Sequence, residues 1–298
     1  MNEEQADVHP SEQNQPTPPP ATHSQQPTAN ELLTPERIAE GAVLLIDKPL
    51  TWTSFDVVKK TKYLLKAKKI GHAGTLDPLA TGLLILCTGK QTKSIDQIQA
   101  QEKEYTGTFR LGQTTPSFDL ETPVDHELPT AHLTEEAVRA ATAPFVGLIE
   151  QTPPLFSAVK VNGERAYEVA RRGAEAEIKS KQITIKAFDI TAVALPDVHF
   201  RVVCSKGTYI RSLARDFGAA LSCGAHLTKL VRTRIGEYRL ADALSIADLE
   251  AHRAPRPEGE ATRPQRPRRE RQPERRAGLE YYNARNSAPT APEAPETA

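Results

Sequence analysis

Apolar runs and turn signals alternate along this chain from about Gly41 to Ala251, and the pattern stops at both ends. Ala42 to Asp47 reads as a strand, which Lys48-Pro49 ends. Thr53 or Ser54 caps a helix running to Leu65, with Phe55, Val58 and Leu65 expected on one side. Leu83, Leu84, Ile85 and Leu86 form a buried strand, Glu104 to Leu111 alternates as another, and Gly112 to Pro123 is a polar loop. Leu133 to Val146 predicts a helix, introduced by Thr134 and two glutamates. Gln182 to Leu195 and Val198 to Cys204 read as paired strands joined at Pro196-Asp197. Tyr209 to Leu221 is an amphipathic helix with Ile210, Leu213, Phe217 and Leu221 on one stripe. Strands outnumber helices without regular βαβ alternation, which predicts a mixed α+β sheet rather than a doubly wound one.

Outside that body the composition changes. Residues 1–38 are rich in Pro, Gln, Thr and Glu, with Pro18, Pro19 and Pro20 in a row, and residues 251–298 are rich in Arg, Pro and Ala. Neither segment can bury enough apolar surface to order itself, so a folded body over 39–250 is expected between two disordered tails. No internal repeat is visible. The formal net charge of zero hides an uneven spread: seven acids face Arg37 alone in residues 1–40, and nine arginines face four glutamates in residues 253–276. A basic stretch of that kind suits salt-sensitive contact with RNA, or serves as a solubilising linker. Lys59, Lys60, Lys62, Lys66, Lys68 and Lys69 make a second basic run, either a solvated face or a phosphate-binding one.

Cys87, Cys204 and Cys223 form no CxxC pair and read as free thiols in a reducing compartment. The acidic start MNEEQADVHP is not expected to be a signal peptide, and no apolar run approaches the roughly 20 residues of a bilayer span. A soluble cytoplasmic protein without a membrane partner is expected.

The densest chemical signal is GHAGTLDPLATG, Gly71 to Gly82. Its glycines and proline exclude a regular helix or central strand, leaving His72 and Asp77 on an irregular loop against a core strand. Such a loop fixes a reactive carboxylate, or is a tight turn with a capping Asp. Ser205 to Gly218 (SKGTYIRSLARDFG) sets Tyr209 and Arg211 at a strand-to-helix junction. An arginine in a first helical turn opposes the helix dipole, so an anionic partner is expected for it. Tyr105 begins the strand KEYTGTFRL, where sheet packing and base stacking are both open. Gly89-Lys90 fails as a phosphate loop, because Leu84 stands where the first glycine belongs. There is no GxGxxG, no HExxH and no GxSxG, so no dinucleotide cofactor, metal or serine triad is expected.

LLIDKPLTWTSFDVV, KKIGHAGTLDPLATGLLI, KEYTGTFRLG, QTPPLFSAVKVNGERAYEVAR and CSKGTYIRSLARDFG occur in the order found in the TruB family of bacterial tRNA pseudouridine-55 synthases, and the chain resembles that family over about Gly41 to Ala243. The resemblance implies a mixed, mostly antiparallel sheet flanked by helices and loops. It implies isomerisation of one uridine to pseudouridine in the TΨC loop of tRNA, with no cofactor, metal or obligate protein partner. It carries a catalytic role to Asp77 as nucleophile and substrate contacts to His72, Tyr105, Tyr209, Arg211 and Lys48. Tyr105 would stack on the extruded base, Arg211 would pair with Asp77, and Lys48 would lie nearby. Adduct, glycal and C6-attack routes all stay open. Two departures stand out. Many members carry a C-terminal PUA domain, and the segment after Ala251 is too polar to be one; and Thr114 to Pro123 differs from the TDTxD-like loop of other members, so Asp119 receives no role.

Overall fold

The computed structural model describes residues 33–157, 159–161, 163–172 and 177–252. Most of both expected tails, the arginine-rich stretch and the expected lack of a PUA domain thus fall outside the described residues. One part of the first tail does not. Helix α1 (Pro35–Glu40) is capped by Thr34, whose side chain accepts from the Arg37 N–H, and it starts with proline at its first position. Ile38 and Leu33 are buried against Leu44, Ile46, Leu84 and Leu86, so the body begins by Leu33 rather than residue 39. Two apolar side chains with a ready pocket outweigh the polar composition around them.

Strand β1 (Val43–Lys48) leads to α2 (Ser54–Leu64), then β2 (Ile70–His72), β3 (Ala80–Thr88), α3 (Ile95–Ala100) and β4 (Lys103–Leu111). A short pair, β5 (Gln113–Thr114) with β6 (His126–Glu127), precedes α4 (Glu135–Ala140) and β7 (Gly147–Gln151). The hairpin β8 (Lys160–Val161) and β9 (Glu164–Arg165) and helix α5 (Ala166–Arg171) follow. Then come β10 (Lys181–Ala194), β11 (Asp197–Cys204), α6 (Ile210–Ala220), β12 (Ala225–Ile235), β13 (Tyr238–Arg239) and α7 (Ile246–Ala251). Among the described residues the main sheet has nine strands in the order β1-β3-β12-β4-β11-β10-β7, with β2 added to β3 and β13 to β12. Among the described strands of this sheet only β3 and β12 pair in parallel; the other strand pairings are antiparallel. This is the mixed, mostly antiparallel α+β sheet that was expected.

On one side of the sheet Phe109, Phe188, Phe200 and Phe217 interlock, with Phe109 and Phe200 stacked at 4.0 Å between ring centroids. The predicted stripe of α6, Ile210, Leu213, Phe217 and Leu221, packs into that cluster. Burying four such side chains supplies roughly 6–12 kcal/mol of hydrophobic free energy before entropy is counted, which holds α6, and hence Arg211, rigidly on the sheet.

Three expectations are corrected. The helix predicted over Leu133–Val146 spans only Glu135–Ala140, followed by a 3-10 turn at Ala143–Phe145, because Pro144 supplies no N–H to continue it. Helix α2 buries Ser54, Val57, Thr61 and Leu64, whereas Phe55 faces solvent. Ser54 fixes that rotation by hydrogen bonding into the loop that carries Asp77. The irregular segment is also shorter than Gly71–Gly82, since β2 ends at His72 and β3 starts at Ala80.

Candidate active site

Asp77 sits on the loop from Ala73 to Leu79, between β2 and β3. Strand β3 frames it: β2 pairs with its end (Leu86–Thr88) and β12 with its start (Ala80–Gly82). Five successive loop carbonyls each accept a hydrogen bond. Arg232 donates to Gly74 O (3.1 Å) and Thr75 O (3.3 Å), and Ser54 Oγ to Leu76 O (3.2 Å). The Ala80 N–H donates to Asp77 O (3.1 Å), and the Thr51 N–H to Pro78 O (2.8 Å). Lys48 Nζ also reaches Pro78 O, at 3.3 Å. A glycine-rich segment has much conformational freedom to lose, and this unbroken set of donors holds it in one shape.

Arg232 lies on β12, is fully buried, and donates a third bond to Leu83 O at 2.8 Å. Sequence reasoning missed it. Gly82 allows its close approach: a Cβ there would lie 2.5 Å from the Arg232 carbonyl oxygen, and its φ is +96°. Lys48 is buried as well, donating to the carbonyls of Pro49 (3.0 Å) and Trp52 (2.7 Å) in addition to Pro78. Burial pushes its pKa down to about 8, against the opposing pull of Asp77. Its ammonium thus ties the end of β1 to the Asp77 loop through backbone carbonyls.

Arg211, in the first turn of α6, is buried and spans the site. Its Nε donates to Asp77 Oδ2 at 2.9 Å and lies 3.6 Å from Asp119 Oδ2. Its Nη1 and Nη2 donate to the carbonyls of Ser117 (3.3 Å) and Phe156 (3.0 Å). The anionic partner expected from its place in the helix is present twice over. Asp119 is the second residue that sequence missed. It accepts from Ser117 Oγ (2.6 Å) and the Glu121 N–H (2.9 Å), and burial pushes its carboxyl up to about 6 although Arg211 draws it down. The only signal was an aspartate set between Phe118 and Leu120 in an otherwise polar loop. The two carboxylates differ in access: the Asp77 side chain is 41% exposed, that of Asp119 7%. A small cleft lined by both, with Ala80, Leu120, Leu227 and Leu230, opens beside them.

Tyr105, on β4, is buried against Leu76, Ala80 and Leu230 beneath the loop, opposite Arg232 in register. Burial pushes its phenol up. Tyr209 occupies the N-cap of α6, where Gln151 grips its backbone from both sides (2.8 and 3.1 Å) and Lys181 Nζ stands 4.6 Å from its ring centroid. Burial raises its pKa too. His72 ends β2, half-buried; burial and then the Arg232 charge lower its pKa, favouring neutral imidazole. The fold thus joins Asp77, Arg211 and Asp119 in one contact chain, and sets Tyr105 and Tyr209 close enough to Asp77 to feel its charge. It places Lys48 behind the loop and His72 at its entrance. Among the described residues no three His, Cys, Asp or Glu side chains cluster to hold a metal ion, and no helix is long and apolar enough to cross a membrane.

Residues 62–210 match the model of the TruB family pseudouridylate synthase N-terminal domain, and residues 211–263 that of the tRNA pseudouridylate synthase B C-terminal domain. The chain is 57% identical over 225 residues to tRNA pseudouridine synthase B of Flavobacterium johnsoniae, covering 73% of this chain and 98% of that one. It is 56% identical over 213 residues to tRNA pseudouridine synthase B of Phocaeicola vulgatus, covering 70% and 91%. Among solved structures it resembles a chain of a Cbf5-Nop10-Gar1 complex, at 31% identity and a TM-score of 0.56, covering 73% of this chain and 57% of that one. A chain of an H/ACA RNP bound to a substrate RNA containing 2′-deoxyuridine matches at 27% identity and 0.54, covering 73% and 56%. The chain spans a little over half the length of those two. Fold, site and matches define a pseudouridylate synthase. Within that class, the chain belongs to the TruB family. The two domain models meet between Ile210 and Arg211, yet β12 from the second lies between β3 and β4 from the first, so both build one sheet.

Proposed function

We propose that this chain isomerises uridine to pseudouridine in tRNA, at position 55 of the T stem-loop, with Asp77 as the nucleophile. The observation that carries the residue assignment is the Asp77–Arg211 contact: a carboxylate open to the cleft, held at 2.9 Å by a buried guanidinium. The reaction breaks the N1–C1′ bond, turns the uracil and forms a C5–C1′ bond; the C5 proton leaves and N1 gains one, so the atoms balance. An ionised carboxylate can attack or stabilise electron-poor C1′ and later help remove the C5 proton. The guanidinium beside it, donating from Nε at 2.9 Å, holds it in position.

The target base must leave its stack, at a cost of a few kcal/mol. Tyr105 and Tyr209 supply aromatic surface, each stack being worth roughly 1–3 kcal/mol. His72, at the loop entrance, meets the everted nucleotide, while Lys48 and Arg232 keep the loop in shape. Asp119 shares the guanidinium with Asp77 and fixes it from the buried side. Three buried free cysteines suit a reducing compartment, and we place the protein in the cytoplasm.

The test is release of C5 tritium from labelled tRNA transcript. The native protein turns over, Asp77→Asn binds tRNA but releases no tritium, and a transcript with cytidine at position 55 gives no release above background. Normal turnover by Asp77→Asn would overturn the nucleophile; undiminished release from the position-55 variant would overturn the site.

A further inference from the structure

We propose that the outward face of α2 is a docking track for the RNA strand that leads to the pocket, a surface distinct from the residues that take the flipped base. The inference rests on the tRNA substrate proposed above. The helix buries Ser54, Val57, Thr61 and Leu64 on one side. At 3.6 residues per turn, Phe55, Lys59, Lys62 and Tyr63 share an arc of about 100° on the other side. All four are exposed, Phe55 by 70% and Tyr63 by 65%. Among the described residues these are the only large aromatic side chains so exposed; Leu128, Val146, Leu148 and Leu195, the other exposed large apolar residues, are aliphatic.

Two largely exposed aromatic side chains with two lysines between them are poor packing and good RNA recognition, joining π-faces for bases to cations for phosphates. The charge of the face is not cancelled on the helix. Asp56 is turned to the N-cap, where its Oδ2 accepts from the Thr53 N–H (3.0 Å) and hydroxyl (2.7 Å). Lys60, off to the side, pairs with Glu250, and exposed Lys66, Lys68 and Lys69 extend the positive surface beyond the helix end.

The track is also aimed. Ser54 Oγ donates to Leu76 O and accepts from the Leu76 N–H at 2.9 Å, one residue before Asp77. The first turn of α2, which carries Phe55, is thereby fastened to the loop of Asp77. From Phe55 to Tyr63 the face runs about 12 Å at 1.5 Å per residue, the length of about three to four nucleotides of a stacked strand at 3.4 Å each. The occupant this fits is the tRNA strand flanking the everted nucleotide.

The experiment measures binding of unmodified tRNA transcript to the full chain across a KCl series, with melting temperatures to verify folding. Lys59→Gln/Lys62→Gln is expected to weaken binding at low salt and reduce the slope of log affinity against log salt by roughly 1.4–1.8, about 0.7–0.9 for each phosphate no longer neutralised. Phe55→Ala/Tyr63→Ala is expected to weaken binding by roughly fivefold or more with the slope unchanged. Wild-type affinity and slope in both variants would overturn the track while leaving the isomerase reading intact. So would a change in sedimentation of Phe55→Ala/Tyr63→Ala without a change in RNA affinity, which would assign the face to protein contact. Failure of the native protein to release tritium from tRNA would remove the substrate reading, and the track with it.

Discussion

Replacing Arg211 by lysine keeps a positive charge beside Asp77 and removes the fork that spreads it. The guanidinium serves four acceptors: Asp77 at 2.9 Å, Asp119 at 3.6 Å, and the carbonyls of Ser117 and Phe156 at 3.3 and 3.0 Å. An ammonium is a single nitrogen whose donors diverge, so it cannot face Asp77 and reach both carbonyls. Two hydrogen bonds from a charged donor disappear, each worth roughly 1.5–3 kcal/mol. Phe156 is only half-buried and its carbonyl can recover water, so the lower end applies, about 3 kcal/mol in all. For a body of this size that is roughly a 6–12 °C fall in melting temperature. The rate falls further than stability, because Asp77 is no longer held in place: a displacement of order 1 Å costs about 100-fold. Since Arg211 is buried, tRNA affinity is expected to stay within about threefold of native. Single-turnover tritium release, tRNA titration and thermal melts together check this. An Arg211→Lys protein with native rate, or one that loses affinity and rate in equal measure, would refute the positioning argument.

Asp119→Asn isolates a pH effect. With the native carboxyl lifted to about 6 from an ordinary 3.8, the folded protein takes up a proton before the unfolded chain does as pH falls. This residue therefore adds roughly 2–3 kcal/mol of stability on acidification to pH 4, which is withdrawn as pH rises through about 6. Asparagine does not titrate, so the gap between native and variant in urea unfolding should move in the native protein's favour by that amount between pH 7 and pH 4. Parallel pH profiles would show that Asp119 is not the group responsible. Gly82→Ala pushes a methyl into the Arg232 backbone at a positive φ and should cost at least about 2 kcal/mol in urea unfolding. It should also depress turnover, since Arg232 shapes the loop that carries Asp77, the proposed nucleophile; a stable, active variant would contradict both.

Much of the architecture was legible because local pattern and tertiary role agreed. The β10–β11 hairpin and the stripe of α6 have the periodicities that their burial demands. The loop of Asp77 announced itself through its glycines. Strand β12 did not, though it is central, because register shifts at Leu227/Lys229 and Arg232/Arg234 break its alternation and a buried arginine sits where an apolar residue is expected. Arg232 reads as a surface charge until its three backbone acceptors are seen. Asp119 escaped because its importance lies in a guanidinium 92 positions later, Arg211. Helical spacing groups Phe55 with Val58 and Leu65 on one side; the Ser54–Leu76 bonds, which no spacing encodes, set the rotation that turns Phe55 to solvent.

The parallel partnership of β3 with β12 has a consequence for biosynthesis. About 120 residues separate the end of β4 from the end of the strand that fits between it and β3, which at ribosomal speeds of roughly 5–20 residues per second leaves both flanks unpaired for about 6–25 s. Over that interval the nascent chain carries two open strand edges, the kind of surface that recruits chaperones or other copies of itself. Arg232 arrives with the same late strand, so the carbonyls of Gly74 and Thr75 gain their donors only when the middle of the sheet is filled.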